Sequence, residues 1–386
     1  MNVTGPWIQA APTRAVMAAL ADAGHRAWFV GGCVRNDILG VPVADIDIAT
    51  DAIPTAVIAA ADAADIRAIP TGIDHGTVTL VHHGVPHEVT TFRKDIETDG
   101  RRAIVAFSTD MLEDASRRDF TMNALYADRN GEITDPVGGL PDLVARRVRF
   151  IGKAADRIAE DGLRILRFFR FHAAYGDAGA GMDAEALTAI KAAVGALDKV
   201  SRERIGAEMH KLLGTADPSQ SLHAMAECGV LEAILPGASV GGLPRLIAIE
   251  HNLNIAPAWR RRLVSLNADG AADALRLSRA DARHLNDVAL CIRNAVSTHE
   301  AAYRMGKEVA LDAALTGQSV PPPDLIARVE LGASARFPVN GADLVDRYPA
   351  GPHLGQALKR LEQRWIDSDF ALGRAELLAI DSDPQN

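Results

Sequence analysis

Several absences narrow the reading of this 386-residue chain before any motif is considered. No apolar run approaches the roughly 20 residues needed to span a bilayer. The opening Met1-Asn2-Val3-Thr4-Gly5-Pro6 lacks a basic stretch followed by an apolar core, so a cytoplasmic protein without a membrane partner is expected. Cysteine is scarce. Cys33, Cys228 and Cys291 are odd in number and scattered, which argues against a disulfide framework or a zinc site and leaves buried, reduced thiols. A basic excess is missing too: 41 Lys and Arg face 50 Asp and Glu, a net charge of -9. Such a chain does not coat nucleic acid indiscriminately, although a local basic groove stays open to it. There is no repeat of 20–50 residues, and neither a P-loop nor a dinucleotide-binding fingerprint.

What is present is enough apolar sequence, 48% against 24% charged, to bury a core and form two or more domains. The run Ala27-Trp28-Phe29-Val30 reads as a buried strand that ends on Gly31-Gly32, and Cys33 to Leu39 reads as a helix starting there. Paired glycines let backbone and phosphate approach, and a helix N-terminus offers unpaired N–H groups to an anion. About a dozen residues on, Asp45-Ile46-Asp47-Ile48 alternates with period two. Read as a strand, it turns both carboxylates to one face and both isoleucines to the other. Paired carboxylates with room for water and phosphate oxygens suit Mg²⁺. A lone D-x-D is more often a solvated strand end and Gly-Gly usually a turn, so the conjunction carries the signal.

Thr77 to Val81 and Val85 to Phe92 flank His82-His83-Gly84 as a hairpin, with Glu88 on the face opposite Val85, His87 and Val89. Glu88 is a candidate third acidic group beside the D-x-D strand. Arg93 to Arg102, with Asp99-Gly100, reads as a loop. Arg117-Arg118 precede an expected helix over Asp119 to Leu125, and Asp135-Pro136-Val137-Gly138-Gly139 closes that region. A helix is predicted over Asp156 to Tyr175, weakened only by Gly162, and from about Asp183 the Ala- and Leu-rich stretches predict a helical body. Arg164, Arg167 and Arg170 stand among Ile165, Leu166, Phe168, Phe169 and Phe171, an apolar setting that a solvated charge cluster would not choose.

The glycine and D-x-D elements resemble the nucleotidyltransferase superfamily that includes DNA polymerase β. With Gly31-Gly32-Cys33-Val34-Arg35, Asp45-Ile46-Asp47, Arg117-Arg118-Asp119-Phe120-Thr121-Met122-Asn123-Ala124-Leu125 and Glu160-Asp161-Gly162-Leu163-Arg164 in this order, the chain is similar to class II CCA-adding enzymes and bacterial poly(A) polymerases. The similarity spans roughly residues 25 to 175; a weaker one covers Gly341-Ala342-Asp343-Leu344 and Gly355 to Asp369. It implies an α+β fold: a polymerase-β-like nucleotidyltransferase head with a small mixed sheet over 1–145, then an all-helical neck and RNA-binding domain over 146–240. A helical body and tail over 241–386 would bind tRNA. Asn36 stands where the family usually has Asp, which bears on the orientation of Arg35. No His-Asp phosphohydrolase pair stands out in the helical part.

The resemblance implies that Asp45 and Asp47 hold metal, with Glu88 assisting catalysis. Gly32 and Arg35 would contact the nucleotide, together with Gly31, Arg117 and Asn123, and Arg118, Arg167 and Arg170 would face the triphosphate. Asp161 and Arg164 would face the base, and as i, i+3 residues they would project from one helix face. Cytosine and adenine each present an amine beside a ring-nitrogen acceptor, so a carboxylate and a guanidinium satisfy either. Uracil and guanine reverse that pattern. The activity implied is template-independent addition of C, C and A to the 3′ end of tRNA from CTP and ATP, with Mg²⁺ and no protein partner indicated. A poly(A) polymerase, a partial CC- or A-adding enzyme, and a non-catalytic RNA-binding protein stay open as alternatives.

Overall fold

The computed structural model describes residues 1–99, 102–317, 319–348 and 351–380. The chain divides into two compact units, Met1–Pro236 and Gly237–Asn386.

Among the described residues of the first unit, nine strands follow in chain order: β1 (Ala27–Val30), β2 (Asp47–Thr50), β3 (Arg67–Gly72), β4 (Thr77–His82), β5 (Val85–Thr91), β6 (Arg93–Asp99), β7 (Arg102–Phe107), β8 (Tyr126–Ala127) and β9 (Ile133–Thr134). Seven form a mixed sheet in the order β3-β4-β5-β2-β1-β8-β9, in which only β2 and β5 run parallel. The β4–β5 turn puts His83 and Gly84 at φ 47° and 80°, the paired left-handed geometry that matches strand twist in a two-residue hairpin. Helices Ala11–Asp22 and Pro54–Ala63 pack on this sheet through Val16, Leu20, Val57 and Ala61, opposite Val78, Leu80 and Val89, all buried. Each of the larger side chains contributes about 1.5–3 kcal/mol by leaving water.

Three local expectations are corrected. The stretch read as a loop from Arg93 is strand β6, paired with β7 as a separate hairpin; Gly100 and Arg101 lie outside the described residues. The run that follows, Ala103-Ile104-Val105, has strand propensity, which the loop reading overlooked. The helix expected over Asp119 to Leu125 is a single 3-10 turn, Thr121–Asn123. Phe120, Met122, Ala124 and Leu125 are all fully buried, so no solvent face exists for an amphipathic helix, and the backbone instead bonds to Arg149 and Ile151. The helix expected over Asp156 to Tyr175 is two, Ala154–Glu160 and Leu163–Tyr175, separated by Asp161 in an extended conformation at φ -154°.

The Leu163–Tyr175 helix buries Leu163, Ile165, Leu166, Phe168, Phe169 and Phe171. Phe120 meets Phe150 and Phe171 at 4.9 Å between centroids, and Phe150 stacks on Phe168 at 5.7 Å. This cluster fixes the helix to the end of the sheet domain, adding aromatic pair energies of about 0.5–1.5 kcal/mol each.

In the second unit every described regular element is helical. One core gathers Leu246, Val288, Cys291, Leu315, Leu325 and Val329; another gathers Leu344, Leu361, Trp365 and Leu377, with Trp365 and Phe370 at 4.7 Å. Gly332 lets the helices Thr298–Met305 and Leu325–Ser334 touch, since a Cβ there would lie 2.0 Å from the carbonyl oxygen of His299. Among the described residues no helix is long and apolar enough to cross a membrane. Cys33 and Cys291 are buried as expected, whereas Cys228 is half-buried.

Candidate active site

The chain leaves β1 at Gly31, whose φ of 72° and ψ of -118° an L side chain rarely adopts, and turns at once into the helix Gly32–Leu39. β1 lies between β2 and β8, so this turn sits next to the start of β2. The regular strand begins at Asp47, one correction to the sequence reading: Asp45 precedes it, exposed, in an extended segment. The alternation persists nonetheless, with Ile46 and Ile48 buried and Ile46 still accepting a hydrogen bond from the Glu88 N–H at 3.1 Å. Glu88 is the register partner of Asp47 on parallel β5.

Burial, then the charges of Glu88 and Asp45, push the Asp47 carboxyl up to about 6, with Arg118 and Arg35 opposing. The group is thus held where its ionised form is only partly compensated. Among the described residues no three His, Cys, Asp or Glu side chains enclose an ion. The donor set is nonetheless all carboxylate oxygen, which fits a hard divalent cation that shares its shell with water or substrate.

Beside Asp47 opens a cleft of about 630 Å³. It brings together Gly31, Gly32, Arg35, Arg117, Arg118, Asn123, Asp161, Arg164, Arg167 and Arg170, drawn from positions up to 139 residues apart along the chain. Asp45 and Glu88 do not line it. Arg93, Asp119 and Phe171 do, and sequence reasoning gave them no role. Asp119 belongs to the Arg117 to Leu125 motif, whose charged residues carry a signal for it; Arg93 lay in the stretch misread as a loop. Seven arginines and three aspartates line the cleft, so it is locally basic in a chain that is acidic as a whole.

Most of these arginines are anchored from behind. Arg118 donates to Asp114 at 2.9 Å and to the Tyr126 hydroxyl at 3.2 Å. Burial opposes its charge, but Tyr126 and Asp114 outweigh that and hold its pKa above the ordinary value. Arg167 donates to Asp119 at 2.8 Å and Arg170 to Glu208 at 2.5 Å. Arg35 differs. It is 6% exposed, and its hydrogen-bond partners are neutral: Asn123, the Tyr175 hydroxyl at 2.8 Å, and Asn36 at 2.8 and 3.1 Å. Its guanidinium lies 4.0 Å from the Tyr175 ring centroid. Asn36 therefore orients Arg35 without neutralising it, and burial lowers the Arg35 pKa from its usual value. Tyr175, Glu208, Asp114 and Tyr126 had no sequence signal for these partnerships.

Because the helix breaks at Asp161, Asp161 and Arg164 do not share a helix face, which corrects the i, i+3 expectation. They form no ion pair in common. The Asp161 carboxylate takes the Leu163 N–H at 3.1 Å and pairs with Arg204 at 2.6 Å. Arg164 is held by Glu160 and by the carbonyls of Arg157 and Arg117 at 3.0 and 3.1 Å. Both still face the cleft.

A mixed sheet edged by carboxylates and opening on an arginine-lined cleft defines a nucleotidyltransferase head. Residues 27–149 match the family described as the Poly A polymerase head domain, and residues 181–240 the family described as "Probable RNA and SrmB- binding site of polymerase A". The CCA-adding enzyme of Streptococcus sanguinis (strain SK36) is 35% identical over 374 residues, 91% of this chain and 92% of that protein. The chain belongs to the family of CCA-adding enzymes and bacterial poly(A) polymerases. The crystal structure of the Bacillus stearothermophilus CCA-adding enzyme in complex with CTP superposes with a TM-score of 0.75 at 28% identity, covering 98% of each chain. The Thermotoga maritima CCA-adding enzyme, solved with tRNA_CCA, shares the fold at 18% identity, with a TM-score of 0.71 over 98% of this chain and 96% of that one.

Proposed function

We infer that the chain is a tRNA nucleotidyltransferase that adds C, C and A to the 3′ end of tRNA from CTP and ATP without a nucleic-acid template. One observation carries the reading. A single cleft joins the carboxylate-bearing strand end, the Gly31-Gly32 turn, the anchored arginines and the pair Asp161 and Arg164.

The terminal ribose hydroxyl attacks the α-phosphorus in line and pyrophosphate leaves. Asp45 and Asp47, aided by Glu88, would hold Mg²⁺, which when bound favours ionisation of the hydroxyl and neutralises charge on the leaving oxygens. Arg118, Arg167 and Arg170 receive the triphosphate. Each is already oriented by a carboxylate behind it, so little side-chain entropy is lost on binding. Arg35 keeps a buried positive charge with neutral partners, and an incoming phosphate supplies its counter-ion. Gly31 and Gly32 keep side chains out of the approach, and Arg117 and Asn123 complete the wall. Asp161 accepts from the exocyclic amine of cytosine or adenine and Arg164 donates to the adjacent ring nitrogen. Uracil and guanine would set a carbonyl against the Asp161 carboxylate and an N–H against the Arg164 guanidinium, leaving both groups without a hydrogen bond to the base.

Residues 1–145 serve as the catalytic head, 146–240 as the neck that reads the base and binds RNA, and 241–386 as a tRNA-binding body and tail that reads shape and phosphates. A tRNA substrate makes the cytoplasm the working compartment. The test supplies tRNA lacking CCA, and separately an unstructured oligonucleotide, with each of the four labelled NTPs and sequences the products. Two C and one A on tRNA, with poor use of the oligonucleotide, is the expected result. Long adenylate tails on the oligonucleotide would instead make the chain a poly(A) polymerase.

A further inference from the structure

We infer that Arg204 is a positioning residue that sets base selectivity: by gripping the Asp161 carboxylate in a two-pronged ion pair it leaves one acceptor position for the base. The inference deepens the assignment of Asp161 to base reading and rests on it. Arg204 lies on the helix Arg202–Leu213, 43 residues beyond Asp161, and does not line the cleft. Its Nη2 donates to Oδ2 of Asp161 at 2.6 Å and its Nη1 to Oδ1 at 3.2 Å. The Leu163 N–H also donates to Oδ1, at 3.1 Å.

An ionised carboxylate offers about four lone-pair positions. Those on Oδ1 are taken by Arg204 and Leu163, one on Oδ2 is taken by Arg204, and one on Oδ2 is left. A single amine N–H of cytosine or adenine fills it. The backbone that carries Asp161 is equally constrained. Gly162 is pressed against the Val194–Lys199 turn, where a Cβ would stand 2.5 Å from the Ala196 carbonyl oxygen. With backbone and carboxylate plane both set, the free lone pair has one direction. Without Arg204 the carboxylate would turn, bind water and present lone pairs in several directions. It could then accept from uracil N3–H or guanine N1–H, the groups the fixed geometry turns away.

The experiment compares Arg204→Met, Arg204→Lys and Asp161→Ala in the full-length enzyme. It measures kcat/KM for CTP, ATP, UTP and GTP on tRNA lacking its end, with thermal unfolding of each variant alongside. Methionine keeps much of the aliphatic stem and removes the donors; lysine keeps the charge but cannot fork. The UTP-to-CTP ratio of kcat/KM should rise about ten- to a hundredfold in Arg204→Met, on the scale of a misplaced reacting geometry. A smaller rise is expected in Arg204→Lys. A uniform fall for all four nucleotides in Arg204→Met, while Asp161→Ala loses selectivity, overturns the role of Arg204 and leaves the base-reading assignment standing. Unchanged selectivity in Asp161→Ala overturns both. If Arg204→Met does not fold, wild-type selectivity in Arg204→Lys overturns the proposal.

Discussion

The cleft of the first unit and the interior of the second both bury arginine, and they use it in opposite ways. In the second unit Arg261 and Arg262, 4% and 1% exposed, share the two oxygens of Glu250 at 2.8 Å each. Arg261 also meets Asp312 at 2.7 Å, whose other oxygen meets His284 at 2.8 Å. In this knot each carboxylate oxygen faces a cationic or imidazole nitrogen, and all five side chains are buried. In the cleft, Arg118, Arg167 and Arg170 are paired on one side and open on the other, while Arg35 is buried among neutral acceptors. Buried charge alone does not mark a site. What marks one is charge that the protein orients and leaves facing a cavity, since orientation lowers the cost of binding and incomplete neutralisation leaves work for the ligand.

The sharpest way to break this comparison is to remove charge from each region and ask whether chemistry or folding fails. Asp45→Ala and Asp47→Ala should each lower nucleotide addition roughly a thousandfold, on the scale of losing a group that stabilises transition-state charge, and leave the urea midpoint unchanged. Near-normal incorporation of labelled CMP by either variant would remove the metal assignment. Asp312→Asn should do the reverse. It takes from Arg261 one of its two carboxylate partners and leaves His284 beside an uncharged amide, at a cost of about 3–5 kcal/mol read by urea denaturation. A change below about 1 kcal/mol would mean that the knot is not the structural element argued above.

A smaller effect tests the unneutralised cation. Tyr175→Phe removes one acceptor from Arg35, worth about 1 kcal/mol, and should raise KM for CTP and ATP alike by about fivefold without altering selectivity. An effect on one nucleotide alone would assign Tyr175 to the base instead. The smallest effect concerns acid. Burial lowers the pKa of His87 and His172 from the ordinary 6.5, so between the two values the unfolded chain binds more protons. Their share of the stability of the first unit is therefore lost as pH falls below about 6.5. The urea midpoint should fall less steeply between pH 7 and pH 5 in His87→Gln/His172→Gln than in the natural chain, and identical slopes would exclude the pair.

The sequence by itself determined the elements whose signal is local. Gly31-Gly32 could be read because a left-handed turn excludes most other residues, and Ile46 and Ile48 because period two survives in an extended segment even where the regular strand starts only at Asp47. The β4–β5 hairpin and the arginines among the phenylalanines of Leu163–Tyr175 were legible for the same reason. Failures came where tertiary contacts overrode propensity. Asp119 to Leu125 looks helical alone, yet it is buried on all sides and bonds to residues 149–151, and the helix breaks at Asp161 because Arg204 and the Ala196 turn hold the break. The anchoring partners lay beyond sequence reasoning altogether. Glu208 behind Arg170, Tyr175 beneath Arg35, Arg204 against Asp161 and the Glu250 to His284 knot join residues 11 to 140 positions apart. Periodicity reports which face of an element is apolar. Which charge meets which across the fold is set by how those faces pack, and that only the tertiary structure decided.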